Sequence, residues 1–210
     1  MNLNIKSVLA GLLLLATPVV AQDDAIAKDS ITYNKTVSFT LGVFQPIAMG
    51  DNFISNGAST NVGGRFEFRA HLLQKVNLGI RFDGFGYDVT NTQITGLYDR
   101  GTVLSIAFLG GYDIIEKDKI TVTAVATFGS TNYNNRQNDE VFRESANTFT
   151  IGGEAMYALN RYFNVYGGLE FRSDQLNING PPQIQSQFNS VQYLAVQAGL
   201  RLILWNKEGD

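Results

Sequence analysis

Only one histidine, His71, and no cysteine are available for nucleophilic or metal-binding chemistry in this sequence. A catalytic triad needs a His that takes a proton from the nucleophile and is itself oriented by an acid. Zinc sites combine several Cys and His ligands, and calcium loops need a fixed acidic spacing that the sequence lacks. We therefore predict no enzymatic activity, no metal and no cofactor, and we interpret His71 as a polar residue near a strand end.

Arginine and acidic residues recur at alternate positions, which is a second pattern that could form a functional site. Glu67 lies between Arg65 and Arg69, and Glu170 lies two residues before Arg172. Residues at this spacing share one face of a β-strand, and Arg binds carboxylates through paired hydrogen bonds. A substrate site is one interpretation. We favour a packed ionic network, because charges in an enclosed interior must be paired. The predicted members are Arg65, Glu67, Arg69, Arg81, Asp83, Glu154, Glu170, Arg172 and Arg201.

Alternating apolar and polar residues recur from Thr36 to Trp205, with the period of two that is typical of β-strands. Beyond Gly84 the apolar phase shifts to Phe85 and Tyr87, which predicts a bulge near Gly84 or Gly86. Eight segments are predicted as strands: 36–43, 62–72, 76–89, 103–112, 120–128, 148–159, 163–172 and 191–205.

The links between these segments alternate in length. Links two, four and six are short, at 73–75, 113–119 and 160–162. Links one, three, five and seven are long, at 45–59, 88–101, 129–147 and 173–190. Bacterial outer-membrane barrels have an even number of antiparallel strands, short periplasmic turns and longer extracellular loops. The order of the links matches that arrangement.

Alternation alone does not decide whether the apolar face meets lipid or a soluble core, because lipocalin-like barrels also have eight strands. The seven Lys residues all fall outside the predicted strands or at their edges, and the apolar face of each strand carries no charge. A lipid-facing band excludes charge in this way. Aromatic residues near strand ends are typical of interfacial girdles: Tyr87, Tyr98, Tyr112, Tyr157, Tyr162, Phe163 and Trp205.

The first residues have the features of a secretory signal peptide. Lys6 precedes an apolar run, and Val19 to Ala21 offer a small-residue cleavage site. We predict a signal peptide at 1–21, a short periplasmic segment at 22–35, the barrel at 36–205 and a tail at 206–210. A net charge of −3 argues against nucleic acid as a partner.

The strand pattern, together with a final segment from Val191 to the aromatic Trp205, resembles the small outer-membrane barrels of the OmpA-transmembrane-domain and OmpX type. The resemblance implies an all-β, eight-stranded antiparallel up-and-down transmembrane β-barrel in the cell outer membrane. It also implies outer-membrane lipid and lipopolysaccharide as neighbours, and the barrel assembly machinery as a partner of the C-terminal strand. Lipid-modifying barrels of similar size use a His in the outer half of the wall, whereas His71 falls at the predicted periplasmic end.

The functional expectation is a structural or surface-interaction protein with a filled interior. Side chains just fill an eight-stranded barrel, so we expect negligible conductance. Extracellular loops on a rigid scaffold are the usual binding sites, and the predicted loops at 130–146 and 174–190 offer Tyr133, Arg136, Arg143 and Phe188 for an extracellular ligand. A narrow channel for small solutes and a soluble secreted ligand-binding barrel remain the alternatives.

Overall fold

The computed structural model describes residues 33–95, 97–137, 140–176 and 188–207. These residues form a closed, all-antiparallel β-barrel whose wall has eight strand positions, as the sequence predicts. The predicted signal peptide, residues 22–32 of the N-terminal segment and residues 208–210 of the tail lie outside the described residues.

Nine strands and two short helices follow each other along the described chain. Their bounds are β1 Tyr33–Met49, α1 Phe53–Gly57, β2 Ala58–Thr60, β3 Gly63–His71, β4 Val76–Val89, α2 Thr92–Thr95, β5 Arg100–Lys117, β6 Ile120–Gln137, β7 Glu140–Ala158, β8 Phe163–Leu176 and β9 Ser190–Lys207.

Each strand from β3 onward pairs with its neighbour in the chain, and β1 pairs with both β3 and β9, which closes the ring. The short β2 pairs with the C-terminal residues of β4. It occupies the same position in the wall as β3, from which it is separated by Asn61 and Val62. Closure matters because a barrel leaves no strand edge with unpaired backbone groups.

The barrel is apolar outside and polar inside, the reverse of a water-soluble protein. Leu41 is 69% exposed and Phe108 is 76% exposed, although both sit in the middle of strands. Their sequence neighbours Thr40 and Ala107 are buried. Successive side chains of a strand point to opposite faces, so the alternation predicted from the sequence divides an outer apolar belt from a polar interior.

The two ends of the barrel differ, and we name them by what they hold. The turn end holds the first residues of β1, the last residues of β9 and the turns at 72–75, 118–119 and 159–162. The loop end holds α1, α2 and the connections after β6 and β8. Lys35, Lys117 and Lys207 lie in terminal residues of strands at the turn end, rather than outside strands.

The predicted bulge near Gly84 or Gly86 does not lie in β4; the extra residue is in the facing strand, where Thr60 pairs with Tyr87 and Gly64 with Gly84. β4 pairs with β5 without a register shift from Val76 to Asp88, and its alternation continues unbroken through Gly84. Phe85 and Tyr87 are 4% and 2% exposed, so they point inward. The apparent change of phase arises because the interior itself becomes apolar toward the loop end.

The predicted long link at 129–147 is also wrong, because most of it is wall. β6 and β7 remain paired to the positions Gln137 and Glu140, so this connection is only the two residues 138–139. The other long links are shortened less: β1 extends to Met49, β4 to Val89 and β8 to Leu176. At the turn end the link predicted at 113–119 shrinks to residues 118–119.

Candidate functional site

Eight of the nine residues predicted for the interior network meet in the middle of the barrel. We call this group the ionic band; each member is at most 9% exposed. It draws on β3, β4, β7, β8 and β9. Its members are Arg65, Glu67, Arg69, Arg81, Asp83, Glu154, Glu170 and Arg201.

Glu67 is the centre of the ionic band. Its carboxylate lies 2.5 Å from the Arg69 guanidinium, 2.7 Å from that of Arg81 and 3.4 Å from that of Arg201. The side chain is 1% exposed. One acid therefore joins guanidinium groups from three different strands.

Glu154 bridges two of the same arginines from the opposite wall. Arg201 donates to its two carboxylate oxygens at 2.6 and 3.0 Å, and Arg69 donates to them at 2.8 and 3.0 Å. Both contacts have the two-pronged geometry that the planar guanidinium favours. The Arg201 Nε–H also donates to the Thr40 hydroxyl at 2.8 Å, which orients the Arg201 guanidinium toward Glu154.

The rest of the ionic band extends toward the loop end. Arg65 pairs with Asp83 at 2.7 Å and with Glu170 at 2.8 Å, and Arg81 also lies 2.8 Å from Glu170. The contacts of Glu170 have ion-pair distances, but they lack hydrogen-bond geometry. Arg65 additionally donates to the Gln197 amide oxygen. All eight residues belong to one connected network.

Strand register explains half of this arrangement. In the hairpin of β3 and β4, Arg65 is directly opposite Asp83 and Glu67 is directly opposite Arg81. The Cβ atoms of directly opposed residues on one face lie about 5 Å apart, so opposite charges at these positions are in direct contact. Glu154, Glu170 and Arg201 reach these pairs only because the barrel closes.

The ionic band holds four Arg and four acidic side chains, so its formal charges cancel. Cancellation matters because an unpaired charge held away from water is far more costly than a paired one. Every charge of the ionic band therefore lies within ion-pair distance of an opposite charge inside the barrel.

Arg172, the ninth predicted member, belongs to a separate pair nearer the loop end. It contacts Asp174 at 2.8 Å and donates to the hydroxyls of Ser105 and Thr131 at 2.7 and 2.9 Å. Asp174 is fully buried, although the sequence analysis assigns it to a loop. The signal for it was present, because it continues the inward alternation of Glu170 and Arg172 along β8.

A second layer, which the sequence analysis does not anticipate, fills the loop end of the interior with aromatic rings. We call it the aromatic cap, and it is buried together with Val103, Ala146, Val191 and other small apolar side chains. Phe85 packs edge-on against Tyr193 at 5.5 Å and Phe44 at 5.9 Å between ring centroids. The cap consists of Phe44, Phe53, Phe85, Tyr87, Tyr133 and Tyr193.

Helix α1 completes the aromatic cap from the loop side. Asn52 caps the helix by accepting hydrogen bonds from the backbone N–H groups of Ile54 and Ser55 at 3.1 and 3.0 Å. This capping places Phe53 and Ile54 on the cap, where they are 3% and 0% exposed. Phe53 stacks on Phe188 with 4.8 Å between ring centroids.

Two of the four residues predicted for extracellular binding are instead structural. Tyr133 is 0% exposed, points inward from β6 and donates to Asp174 at 2.5 Å. Phe188 is partly buried against the aromatic cap. Arg136 and Arg143 are exposed, but they lie on the outer face of β6 and β7 rather than on a loop. Ile178, Pro181 and Pro182 of the last predicted loop lie outside the described residues.

The predicted aromatic girdle divides into an outer and an inner set. Tyr112, Tyr157, Tyr162 and Phe163 are 42–51% exposed and lie near the turn end, as an interfacial girdle requires. The prediction is wrong for Tyr87, which belongs to the aromatic cap, and for Trp205. Trp205 packs against Met156, Tyr166 and Ile203, and its indole N–H donates to the Arg161 carbonyl at 2.6 Å.

Outside these layers, Tyr98 and Phe142 pack with ring centroids 5.7 Å apart beside the loop end. Burial and the Glu144 carboxylate raise the pKa of the Tyr98 phenol.

His71 is half-buried at the turn end, where its Nε2 lies 3.3 Å from the Ser38 hydroxyl. Among the described residues no group of three or more His, Cys, Asp or Glu is arranged to hold a metal ion. The described helices include none long and apolar enough to cross a membrane.

Comparison with protein families gives no matching family model, and no curated protein matches by sequence. Solved structures do match. Neisserial surface protein A is similar with a TM-score of 0.59 and 11% identity, over 80% of this chain and 97% of that one. OprG of Pseudomonas aeruginosa gives 0.52 and 10%, over 81% and 97%. AlkL, solved in lipid bilayers, gives 0.51 and 10%, over 88% and 97%. These similarities show the fold, which is that of the small outer-membrane β-barrels.

Proposed function

We propose that this chain resides in a bacterial outer membrane as a closed, non-enzymatic β-barrel. It has eight strand positions and the fold of the small outer-membrane proteins of OmpA and OmpX type. Its role is structural or surface-interacting, and contacts with other molecules are made by its outer wall and loop end. The observation that carries the proposal is the inverted polarity, in which a neutral ionic band lies inside and an apolar belt lies outside.

The outer belt supports a lipid environment. Monomeric soluble proteins rarely expose a contiguous apolar patch of more than a few hundred Å², whereas here Leu and Phe side chains 40–76% exposed cover the wall. Examples from four strands are Leu41, Phe66, Phe108 and Leu169. Hydrocarbon tails are the solvent that such a surface fits, which argues against the soluble-barrel alternative.

The interior supports a closed barrel rather than a channel. An ion passing through would have to break bonded pairs in the ionic band and then cross the aromatic cap, where Val103, Tyr133 and Tyr193 are 0% exposed. Water-filled porins need 16–18 strands to leave such a path. We therefore favour a barrel with a closed interior over a narrow solute channel.

Partners follow from this placement. The belt contacts outer-membrane lipid, and the loop end contacts lipopolysaccharide. β9 presents alternating apolar residues from Leu194 to Leu204 and closes the ring against β1, so it is the strand through which the barrel assembly machinery engages the chain. An extracellular ligand would bind at the loop end.

Two measurements on refolded protein test the proposal. Folded protein in detergent should migrate faster on an unheated SDS gel than after boiling, and it should precipitate when the detergent is removed. Protein that stays dispersed and monomeric without detergent would refute the membrane location. Inserted into planar bilayers beside a 16-stranded porin as positive control, it should conduct negligibly; stable nanosiemens channels would refute the closed interior.

The surface role has its own test. Cells that display the intact chain are compared with cells that display a variant in which residues 136–141 at the tip of the β6–β7 hairpin are replaced by Asn-Gly. Binding to host matrix proteins, phage and other bacteria is scored for both, after outer-membrane levels have been matched. A surface-interaction role requires at least one binding signal that the shortened hairpin loses. Identical profiles would leave the structural role as the function.

A further inference from the structure

Three arginines gather on the outer wall, where β5, β6 and β7 rise beyond the apolar belt. Arg100 and Arg136 are directly opposite each other in the β5–β6 ladder. Arg136 is opposite Val141 in the β6–β7 ladder, which places Arg143 diagonally beside it. All three arginines are exposed. We call this group the arginine patch.

Like charges directly opposed on one sheet face destabilise the pairing, and no ion pair with an acid in the described part of the chain offsets this repulsion. None of the three arginines forms an ion pair with any residue that the structure describes. Glu140 and Glu144 occupy the alternate positions of β7 and so lie on its other face. Asp88 is opposite Arg100 in the β4–β5 ladder, but it accepts a hydrogen bond from Asn61 and forms no ion pair with Arg100.

The arginine patch borders a cavity of about 270 Å³ on this outer face. Arg100 and Arg136 line it, together with the hydroxyl-bearing Thr102, the amide-bearing Asn134 and the apolar Val141. It therefore combines two positive charges with neutral hydrogen-bonding groups and one apolar wall.

The position of the cavity relative to the belt selects its occupant. On β5 the outermost lipid-facing residue is Leu104, 51% exposed, and Arg100 lies four positions nearer the loop end. At about 3.3 Å per residue the two Cα atoms are separated by about 13 Å along the strand. In a barrel whose strands tilt by about 40°, that offset takes the arginines out of the hydrocarbon and into the headgroup layer.

We propose that the arginine patch binds a phosphate group of a phosphorylated glycolipid in the outer leaflet. Arg suits phosphate because its planar fork donates two parallel hydrogen bonds to the anion's oxygens. Thr102 and Asn134, two residues nearer the belt than the arginines, donate to the remaining oxygens or to sugar hydroxyls, and Val141 forms an apolar side of the cavity level with Arg136. This site rests on the membrane placement proposed above and adds a particular lipid contact to it.

The test uses full-length refolded protein in neutral detergent micelles, with lipopolysaccharide, enzymatically dephosphorylated lipopolysaccharide and inorganic phosphate as separate probes. The double variant R100Q/R136Q removes the opposed pair. The matched control K75Q/K119Q removes the same charge at the turn end. Unheated-gel mobility shows for every variant that the barrel is folded, so a failure of the wild type to fold into micelles counts against the proposed function and not against this site.

Wild type and control should bind lipopolysaccharide with equal affinity, and R100Q/R136Q should bind it at least about tenfold more weakly, since each basic residue near an anionic surface contributes about 1 kcal/mol. Asp88→Asn should strengthen binding, because it removes the opposing negative charge beside Arg100. Dephosphorylated lipopolysaccharide should bind wild type as weakly as the intact lipid binds the double variant.

Three results would overturn the assignment. Unchanged affinity in the double variant would remove the arginines from the site. Equal binding of the dephosphorylated lipid would remove phosphate as the recognised group. Inorganic phosphate that binds as tightly as lipopolysaccharide would make the site one for a soluble anion rather than for a lipid.

Discussion

The ionic band and the aromatic cap occupy the same barrel, one above the other, and pack its interior by opposite means. In the band, carboxylates such as Glu67 and Glu154 each serve two or three guanidinium groups, and the charges cancel. In the cap, rings such as Phe85 and Tyr193 exclude water by close packing, with few polar contacts.

The two layers therefore tolerate change differently. Removing one partner from a buried ionic network leaves an uncompensated charge, whereas removing a ring leaves a cavity into which neighbours relax. The band depends on exact charge balance, and the cap depends on filled volume. Four variants separate these modes, and we give them from the largest expected effect to the smallest.

Glu67→Gln should have the largest effect, because three arginines lose their shared negative charge at once. We expect a loss of about 3 to 5 kcal/mol in the free energy of unfolding, measured by urea titration in detergent with the fluorescence of Trp205. Glu116→Gln, at the more exposed ion pair with Lys35, is the control and should cost less than about 1 kcal/mol. Equal losses for both variants would show that the band is not a coupled network.

Phe85→Ala should cost about 3 kcal/mol by opening a cavity between Phe44 and Tyr193. Phe85→Leu preserves most of the apolar volume and should cost less than half as much, in the same urea titration. If the two variants were equally unstable, the ring contacts rather than the filled volume would hold the cap together.

Tyr193→Phe tests the polar edge of the cap. It removes one hydrogen-bond contact, 3.1 Å from the Tyr133 hydroxyl, and leaves the ring in place. The expected cost is about 1 kcal/mol. Tyr133→Phe should cost more, because it also deprives the buried Asp174 carboxylate of a donor. The reverse order would contradict the hydrogen-bond scheme at the junction of the two layers.

The double variant F53S/I54S, which replaces the two residues that α1 places on the cap, is expected to have the smallest effect on the property measured for it, the conductance of the barrel. Conductance in planar bilayers should stay negligible, because the ionic band beneath still fills the interior. A new open channel in this variant would mean that the cap alone seals the barrel and that the band is permeable.

Alternation along the strands was readable from the sequence wherever lipid lies on one side and the interior on the other. Leu104, Ile106 and Phe108 face outward at every second position. Successive residues of the strand face lipid and the polar interior in turn, so apolar and polar residues are favoured alternately. The hairpin register then places Arg65 opposite Asp83 from local information alone. The strand count, the order of short turns and the closed barrel follow from the same signal.

The signal fails above the belt. Residues 130–137 and 140–146 are mostly polar and are predicted as a loop, yet they continue the wall. Beyond the lipid the outer face carries mostly polar residues, while the inner face mixes polar residues with Tyr133 and Ala146, so polarity no longer alternates along the strand. The same loss of contrast placed Tyr133 on a predicted loop, and it outweighed the alternation of acidic and basic residues that continues to Asp174.

Local sequence thus determined which side chains face lipid and that the inward-facing charges nearly balance, because both depend on a contrast that each strand meets independently. Tertiary closure alone decided that Arg201 joins Glu67 to Glu154 and that Phe85 meets Phe44 and Tyr193. The reason is geometric: those contacts join strands far apart in the chain, and their distances are fixed only when the ring of backbone hydrogen bonds is complete.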